Sequence, residues 1–485
     1  MLESSNILAT LVAVPFVGAL VLSFGVWSRD ASRWFSLLIK AVVFGISLKL
    51  AYLFDNTLNG ELFQCLVEFK LWESWNLILG VDGISLSLIL LTTFIMPVSL
   101  LIAWNSITSK WQAFAINLLI LEGFLLLSFT SLDLFVFYLA FESVLIPMFL
   151  IIGIWGSRLN RIKAAWYFFF FTLIGSIFLL VAIITIYMET GTTNFLYMTL
   201  PEHLKGLLWF SFFIAFAVKI PTWPFHLWLP EAHVESPTVG SVILAALLLK
   251  LGGYGYLRFM LPLYHDVSLT WWWPLFATFS VGSIVYASIN ALRQLDVKRI
   301  IAYSSIAHMN MVVLGMFASN YQGLHGSIVM MLAHGFVSGA LFMAIGVIYD
   351  RYHTRAVTHY GGLVQVMPLF AVFFLFFSVA NMGFPGTYNY IGEMLCMLGI
   401  GNLSWDLAIL AGLGLLASAL YSIWLANRLL FGNTKVTYIK SFSDLTGREF
   451  VLLFILAACT LLFGLMPQYF DTLLENSVWW LLNNR

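Results

Sequence analysis

Charge is what this sequence has least of. Lys, Arg, Asp and Glu make up 9% of its 485 residues, against about 25% in an ordinary globular protein. A soluble chain of this length reads as roughly three domains, and so few charges cannot coat that much water-facing surface. The two signs balance at 23 each, so no basic excess points to nucleic acid. Cysteine is scarce as well. Cys65, Cys396 and Cys459 lie far apart and form no CxxC, zinc or iron–sulfur spacing. A pairing among them stays open, with nothing to favour one. No GxGxxG or Walker-type loop is present, which removes the usual nucleotide cradles. An Arg-rich leader is missing and apolar sequence starts near Ile7. The first segment is therefore expected to be a retained transmembrane helix. Apolar residues are abundant, at 61% with a mean hydropathy of +0.94. The fold class that remains is an all-α polytopic membrane protein.

A spanning helix needs about 20 largely apolar residues, and that ruler finds about 14 transmembrane helices. They run roughly 6–26, 34–54, 83–104, 112–130, 132–155, 164–188, 206–228, 237–259, 271–291, 299–319, 324–349, 363–401 (broken), 405–430 and 448–469. The second is the weakest, because Lys40 and Lys49 interrupt it. Segment 55–82 is too polar to span and reads as an extramembrane loop, with short strands around Val67–Trp72.

Loop charge orients the bundle. Loops after odd-numbered helices hold Arg29, Arg33, Lys110, Arg158, Arg161, Lys163, Arg293, Lys298, Arg299, Arg351, Arg355, Arg428, Lys435, Lys440 and Arg448. Loops after even-numbered helices hold only Lys70, Lys205 and Arg258, with Asp55, Glu61, Glu68 and Glu73. The positive-inside rule puts the odd loops on the matrix or cytoplasmic side, with both termini opposite. The loop after helix seven is an exception, with Glu231 and Glu235 and no Lys or Arg.

Two apolar runs are broken. The stretch 367–401 is nearly uncharged and contains Gly383, Pro385 and Gly386. As one straight helix it would exceed roughly 50 Å, against a hydrocarbon core of about 30 Å. The second break is Val218-Lys219-Ile220-Pro221-Thr222-Trp223-Pro224. Proline removes a backbone donor and displaces the carbonyl four residues earlier. At membrane depth the freed groups need protein or water partners. Such breaks mark working sites in transporters; otherwise they only kink packed helices.

Four ionisable residues sit well inside predicted spans: Glu142, Lys219 before Pro221, Lys250, and Glu393 after Pro385. Each costs about 2.5–3.5 kcal/mol at a helix centre. Together they cost on the order of 10 kcal/mol, comparable to the net stability of a whole protein. Such groups must pair, neutralise or reach water. Ion pairs locking helices together are one reading. A polar chain that carries protons is the other, because buried Lys and Glu change protonation with partner and hydration. Glu122, in the fourth span, and His308 and His334, in spans ten and eleven, extend the set. Imidazole titrates near neutrality and passes a proton through either nitrogen. His226 and His233, beside Trp228, read as structural or as part of an access loop.

These residues carry a resemblance. The run Val218-Lys219-Ile220-Pro221-Thr222-Trp223-Pro224-Phe225-His226-Leu227-Trp228-Leu229-Pro230-Glu231-Ala232-His233-Val234-Glu235-Ser236-Pro237-Thr238 resembles the signature of the antiporter-like subunits of respiratory NADH dehydrogenase (complex I). So do Phe141-Glu142-Ser143, Ala302-Tyr303-Ser304-Ser305-Ile306-Ala307-His308-Met309 and Phe384-Pro385-Gly386-Thr387. Trp155-Gly156-Ser157-Arg158, Tyr349-Asp350-Arg351, Asn427-Arg428 and an acid rather than a lysine at Glu393 are similar to its mitochondrial members. The likeness is dense from about residue 80 to 450 and weak before 60 and after 455.

The resemblance implies two inverted repeats of five helices, 4–8 and 9–13, with helices 7 and 12 broken. The organisation becomes 1–111 (helices 1–3 and an extramembrane loop), 112–259 (first repeat), 271–430 (second repeat) and 431–485 (a loop and helix 14). It implies a glutamate–lysine pair at Glu142 and Lys219, a central lysine at Lys250, linking histidines at His308 and His334, and a terminal acid at Glu393. Tyr388-Asn389-Tyr390 departs from the family, where a small Ser comes first, and a bulky ring there narrows local water access. The expected function is proton translocation in the membrane arm of NADH:ubiquinone oxidoreductase. No cofactor or metal is expected in this chain, with flavin, iron–sulfur clusters, NADH and ubiquinone on other subunits. Expected partners are neighbouring antiporter-like chains, accessory subunits and membrane lipid, in the mitochondrial inner membrane. Two rival readings are a cation/proton antiporter driven by an ion gradient and a purely structural helix bundle.

Overall fold

The structure, a computed structural model, describes residues 2–483 apart from 57–61, 73–74, 199, 201, 265–272, 436–437 and 439–442. The loop charges Glu61, Glu73 and Lys440 fall outside the described residues, as does the start of the predicted ninth span.

The principal elements are α1 (Leu2–Ser23), α2 (Arg29–Leu53), a hairpin of β1 (Gln64–Trp72) and β2 (Trp75–Val81), α3 (Gly83–Ser106), α4 (Trp111–Thr130), and α5 (Leu134–Trp155), which is interrupted at Val144. Then come α6 (Arg161–Thr190), α7 (Lys205–Lys219), α8 (Trp228–Glu235), α9 (Thr238–Leu263), α10 (Trp273–Arg293), α11 (Val297–Phe317) and α12 (Tyr321–Tyr352). The chain ends with α13 (Pro368–Asn381), α14 (Tyr388–Leu403), α15 (Trp405–Leu430), α16 (Gly447–Leu465) and α17 (Gln468–Asn483). Among the described residues 12 helices are long and apolar enough to cross a membrane. Two more apolar stretches are each divided by a non-helical segment, residues 220–227 and 382–387. Both predicted breaks are therefore present.

Polar caps place the helix starts. Asp82 caps α3 in a reciprocal box with Ser85. Asp133 accepts from the amides of Phe135 and Val136 at the start of α5. Thr446 and Glu449 form the same kind of box on α16. Each satisfies amides that the first helical turn leaves without partners.

Burial here runs opposite to that of a water-soluble helix. The buried positions of α2 include Arg33, Ser36, Lys40 and Ser47, while Trp34, Leu38, Val42 and Leu48 face outward. The buried set recurs every three to four residues, so one helical face is polar and turned inward. The outer face is apolar, as lipid requires. The outward stripe of α6 (Phe170, Ile174, Ile177, Val181 and Ile184) is built the same way.

Two compact units divide the chain. The first comprises 1–219, 250–272 and 472–485; the second comprises 220–249 and 273–471. In the second, α12 is 32 residues long and buried through its apolar core. Small residues let α14 lie against it. A methyl group on Gly326 would meet Cys396 and Leu395, and one on Gly392 would meet the Met330 backbone. This is the small-residue packing that membrane helices use in place of a hydrophobic drive.

Three readings need correction. The loop strands are longer than Val67–Trp72 and form an antiparallel hairpin. Arg258 is not in a loop: α9 continues to Leu263, and Arg258 is buried within it. A last helix, α17, follows the final predicted span, with Leu474, Val478 and Leu481 on its buried face.

Candidate proton-transfer site

The first unit holds three of the four intramembrane ions and Glu122. Glu142 is half-buried, two residues before the α5 interruption at Val144. The Ser176 hydroxyl of α6 lies within hydrogen-bonding reach of its carboxylate. Lys219 is the last residue of α7 and is 2% exposed. Its Nζ donates to the Phe141 carbonyl at 3.4 Å and sits 4.3 Å from the centre of the Phe141 ring. Glu142 and Lys219 are close enough for each to act on the other's charge. Among the described residues they do not close into an ion pair. Lys219 is held by a carbonyl dipole and a ring face, both weaker partners than a carboxylate.

Lys250 is fully buried in α9, between two π-helical stretches, Leu244–Leu248 and Tyr256–Met260. Such wide turns disturb the regular hydrogen-bond ladder and recur at functional sites. Glu122 is placed differently. It accepts from Lys40 at 2.6 Å, and both side chains are wholly buried. Lys40, which weakened the second predicted span, is thus the partner that makes Glu122 tolerable there. A further closed pair joins Arg258 to Asp82 at 2.5 Å. Arg258 also donates to the Tyr254 hydroxyl and stacks over Phe63.

The second unit holds Glu393 and the two linking histidines. His308 Nδ1 lies 3.4 Å from Glu393 Oε1. The rings of His308 and His334 are 5.8 Å apart, and Ser338 Oγ approaches His334 Nδ1 at 3.5 Å. The chain break beside Glu393 shapes this group. Gly383 has φ +72°, and the carboxylate of Glu393 fills the space a side chain there would need. Only glycine serves at that point. Tyr388 is buried with its ring against Phe463 and Phe470.

The first break is held by one local backbone bond, from Phe225 N to Thr222 O at 2.7 Å, and by side chains. Asn310 donates to the Pro221 carbonyl at 3.3 Å, and Trp223 N donates to Ser283 Oγ at 2.7 Å. His226 and His233 are buried against aromatic rings, with His233 stacked on Phe342 at 4.5 Å. That packing fits the structural reading of both.

Sequence reasoning passed over a second polar group near this break. Lys298, assigned to a loop, is 1% exposed in α11 and donates to Ser236 O and Ser241 Oγ, both at 3.0 Å. Arg355 is buried and donates to the Val234 carbonyl. Glu231 pairs with Arg299 at 2.5 Å. Glu231 and Glu235, assigned to the loop after helix seven, lie instead in the short helix α8. Among the described residues no group of three or more His, Cys, Asp or Glu is placed to hold a metal ion. Among the described residues no disulfide joins Cys65, Cys396 or Cys459.

Comparison with known proteins gives a consistent picture. A family model described as "NADH:quinone oxidoreductase/Mrp antiporter, TM" matches residues 131–420. NADH-ubiquinone oxidoreductase chain 4 of Chondrus crispus is 49% identical over 462 residues, covering 94% of this chain and 93% of the relative. NADH-quinone oxidoreductase subunit M of Rhodobacter capsulatus is 44% identical over 503 residues, covering 99% and 97%. A chain in the structure of respiratory complex I from Thermus thermophilus with bound NADH superposes with TM-score 0.88 at 28% identity, over 98% of this chain and 99% of that one. A chain of the Mrp complex from a Dietzia species gives TM-score 0.83 at 20% identity, over 98% of this chain and 51% of that one, and so shares the fold.

Proposed function

The chain belongs to the NADH:quinone oxidoreductase/Mrp antiporter family, and from that premise we propose that it is the chain 4 type membrane-arm subunit of a proton-translocating NADH:ubiquinone oxidoreductase. Likeness over nearly the full length to relatives named chain 4 or subunit M supports this reading. Redox chemistry belongs to other subunits, which hold flavin, iron–sulfur clusters and the NADH and ubiquinone sites. The chain lies in the mitochondrial inner membrane beside other antiporter-like chains and accessory subunits. Its odd-numbered loops face the matrix, its two broken stretches complete 14 crossings, and helices 4–8 and 9–13 form inverted repeats.

One observation carries the mechanism. Lys219 is held by the Phe141 carbonyl and ring, beside Glu142 but not bonded to it. A buried ammonium on weak partners is poised between two states: paired and charged, or released and neutral. A change of charge or hydration at Glu142 shifts that balance and frees the Lys219 proton. Lys250 is the next acceptor in the same unit. In the second unit, His308 and His334 relay to Glu393, the terminal acid. Electron transfer elsewhere drives the cycle by changing local charge and hydration.

The fold alone would also suit an ion-gradient antiporter. A native gel of mild-detergent extract, stained for NADH oxidation, separates the two. Co-migration with a large NADH-oxidising assembly is expected, and migration without flavin or iron–sulfur subunits would overturn the reading. Within that assembly, Glu142→Gln and Lys219→Ala should each lower protons pumped per NADH. An unchanged ratio in both variants would remove the pair from the mechanism.

A further inference from the structure

A cavity of about 640 Å³ opens in the second unit, where the ends of three helices converge. Leu295 follows α10, residues 357–361 follow α12, and Asn427 to Lys435 end and follow α15. Backbone bonds hold the three together: Val357 N donates to Leu295 O at 2.9 Å, and Gly362 N donates to Phe431 O at 3.0 Å. The walls include Tyr360, Trp424 and Phe431, with Arg428 and Lys435 as the charged groups, and no carboxylate lines the cavity among the described residues.

An apolar stripe leads into this cavity. On α15, Leu413, Leu416, Leu420 and Ile423 are 51%, 66%, 61% and 56% exposed. They recur at three- and four-residue steps along one face of the helix. Asn427, one turn further along that face, lines the cavity with Trp424 and Arg428. An apolar track that ends in two cations and an indole matches a phospholipid. Acyl chains lie along the stripe, and an anionic headgroup sits where the basic side chains emerge. Indole rings favour that interface. The volume lies within the range of small-molecule sites.

We infer that this cavity is a binding site for the phosphate of an anionic phospholipid whose chains run along the outer face of α15. The cations have a competing use. Lys435 donates to the Thr358 carbonyl, and basic groups favour the C-terminal ends of helices. That use explains a cation near the helix ends but not the cavity or the apolar stripe leading to it. Arg428 is exposed, and among the described residues it forms no ion pair. The assignment is independent of the proton route.

The test uses the assembled complex in phosphatidylcholine nanodiscs doped with a photoactivatable phosphatidylglycerol. A phosphatidylcholine probe bearing the same group serves as the control. Wild-type complex alone should show labelling of the peptide 413–428 by the anionic probe in excess of the zwitterionic one. Excess inorganic phosphate should leave that labelling in place. Arg428→Gln with Lys435→Gln should reduce it about 25-fold, at about fivefold for each basic residue near an anionic surface. Equal labelling by the two probes would overturn the assignment. So would displacement by inorganic phosphate, which marks a free-phosphate site. Absence of lipid labelling together with a cross-link from this face to a neighbouring subunit would replace the lipid with a protein partner.

Discussion

Two lysine–carboxylate couples in the first unit are held in opposite ways. Lys40 and Glu122 are both wholly buried and closed to 2.6 Å. Lys219 is as deep as Lys40, but its ammonium rests on a carbonyl and a ring with Glu142 close by. In a closed, buried couple the mutual attraction offsets part of the desolvation cost, and removing either partner leaves the other charge buried without compensation. An open couple leaves room for a second, closed arrangement, which the proposed switch requires. A charge inside an apolar span alone would class all four residues together, and the contacts separate them.

The closed couple should break hardest. Lys40→Met leaves Glu122 buried without its cation, a loss of about 3–5 kcal/mol. The amount of assembled complex, read on a native gel, should fall sharply. Lys40→Met with Glu122→Leu should restore most of it, because an apolar couple suits this site. If the single variant assembles normally but pumps poorly, Lys40–Glu122 belongs with the switches.

Glu393 is the next place to press. Gly383→Ala forces a side chain into the space of the carboxylate at a backbone φ of +72°. The left-handed conformation and the collision together should cost about 2–3 kcal/mol. The informative readout is the ratio of protons to NADH, because the displaced carboxylate must leave His308. Gly432→Ala shares a positive φ of +91° with nothing within 4 Å, so it reports the backbone cost alone. Equal effects of the two would mean that contact with Glu393 is irrelevant.

Opening the open couple completely should cost less in stability than in rate. Lys219→Ala is expected to slow coupled NADH turnover roughly tenfold, about 1.4 kcal/mol on the limiting step. The assembled complex should be recovered in normal amount. A fall in assembly that matches Lys40→Met would place Lys219 among the structural ions.

Much of this comparison was legible in the sequence, and the missing part has a physical cause. Spans follow from run length, and the breaks at Pro221 and Pro385 follow from geometry. Glu142, Lys219, Lys250 and Glu393 stand out because a charge within an apolar run has few explanations. Partnership did not follow, because ion pairs join residues distant in sequence, such as Lys40 with Glu122 and Asp82 with Arg258. A signal for Lys40 was present: Arg33, Ser36, Lys40 and Ser47 share one helical face. A polar stripe at helical spacing in a span predicts an inward face. Lys298 gave no such warning, since a cation at a helix start reads as solvated until burial is known. The role of Gly383 under Glu393 depends on a tertiary contact that spacing does not encode.

The two breaks differ in how their backbone is satisfied, and this sets the smallest expected effect. The second is stitched locally: Gly383 N donates to Ala380 O, and both Thr387 N and Thr387 Oγ1 donate to Phe384 O. The first has one local bond, from Phe225 N to Thr222 O, and adds residues remote in sequence, with Asn310 serving the Pro221 carbonyl and Ser283 serving the Trp223 amide. Asn310→Ala should therefore loosen the first break by about 1 kcal/mol, the net worth of an amide-to-carbonyl bond. Carbonyls tolerate a missing partner better than amides do, so assembly should survive. Amide hydrogen exchange over residues 218–227 in the intact complex should rise about fivefold, the equivalent of that energy, while exchange over 382–387 stays constant. Because Lys219 ends the helix that this break terminates, proton coupling should soften in step with the exchange. Faster exchange with unchanged coupling would show that the break tolerates motion without affecting Lys219, and the switch would then reside in Glu142 alone.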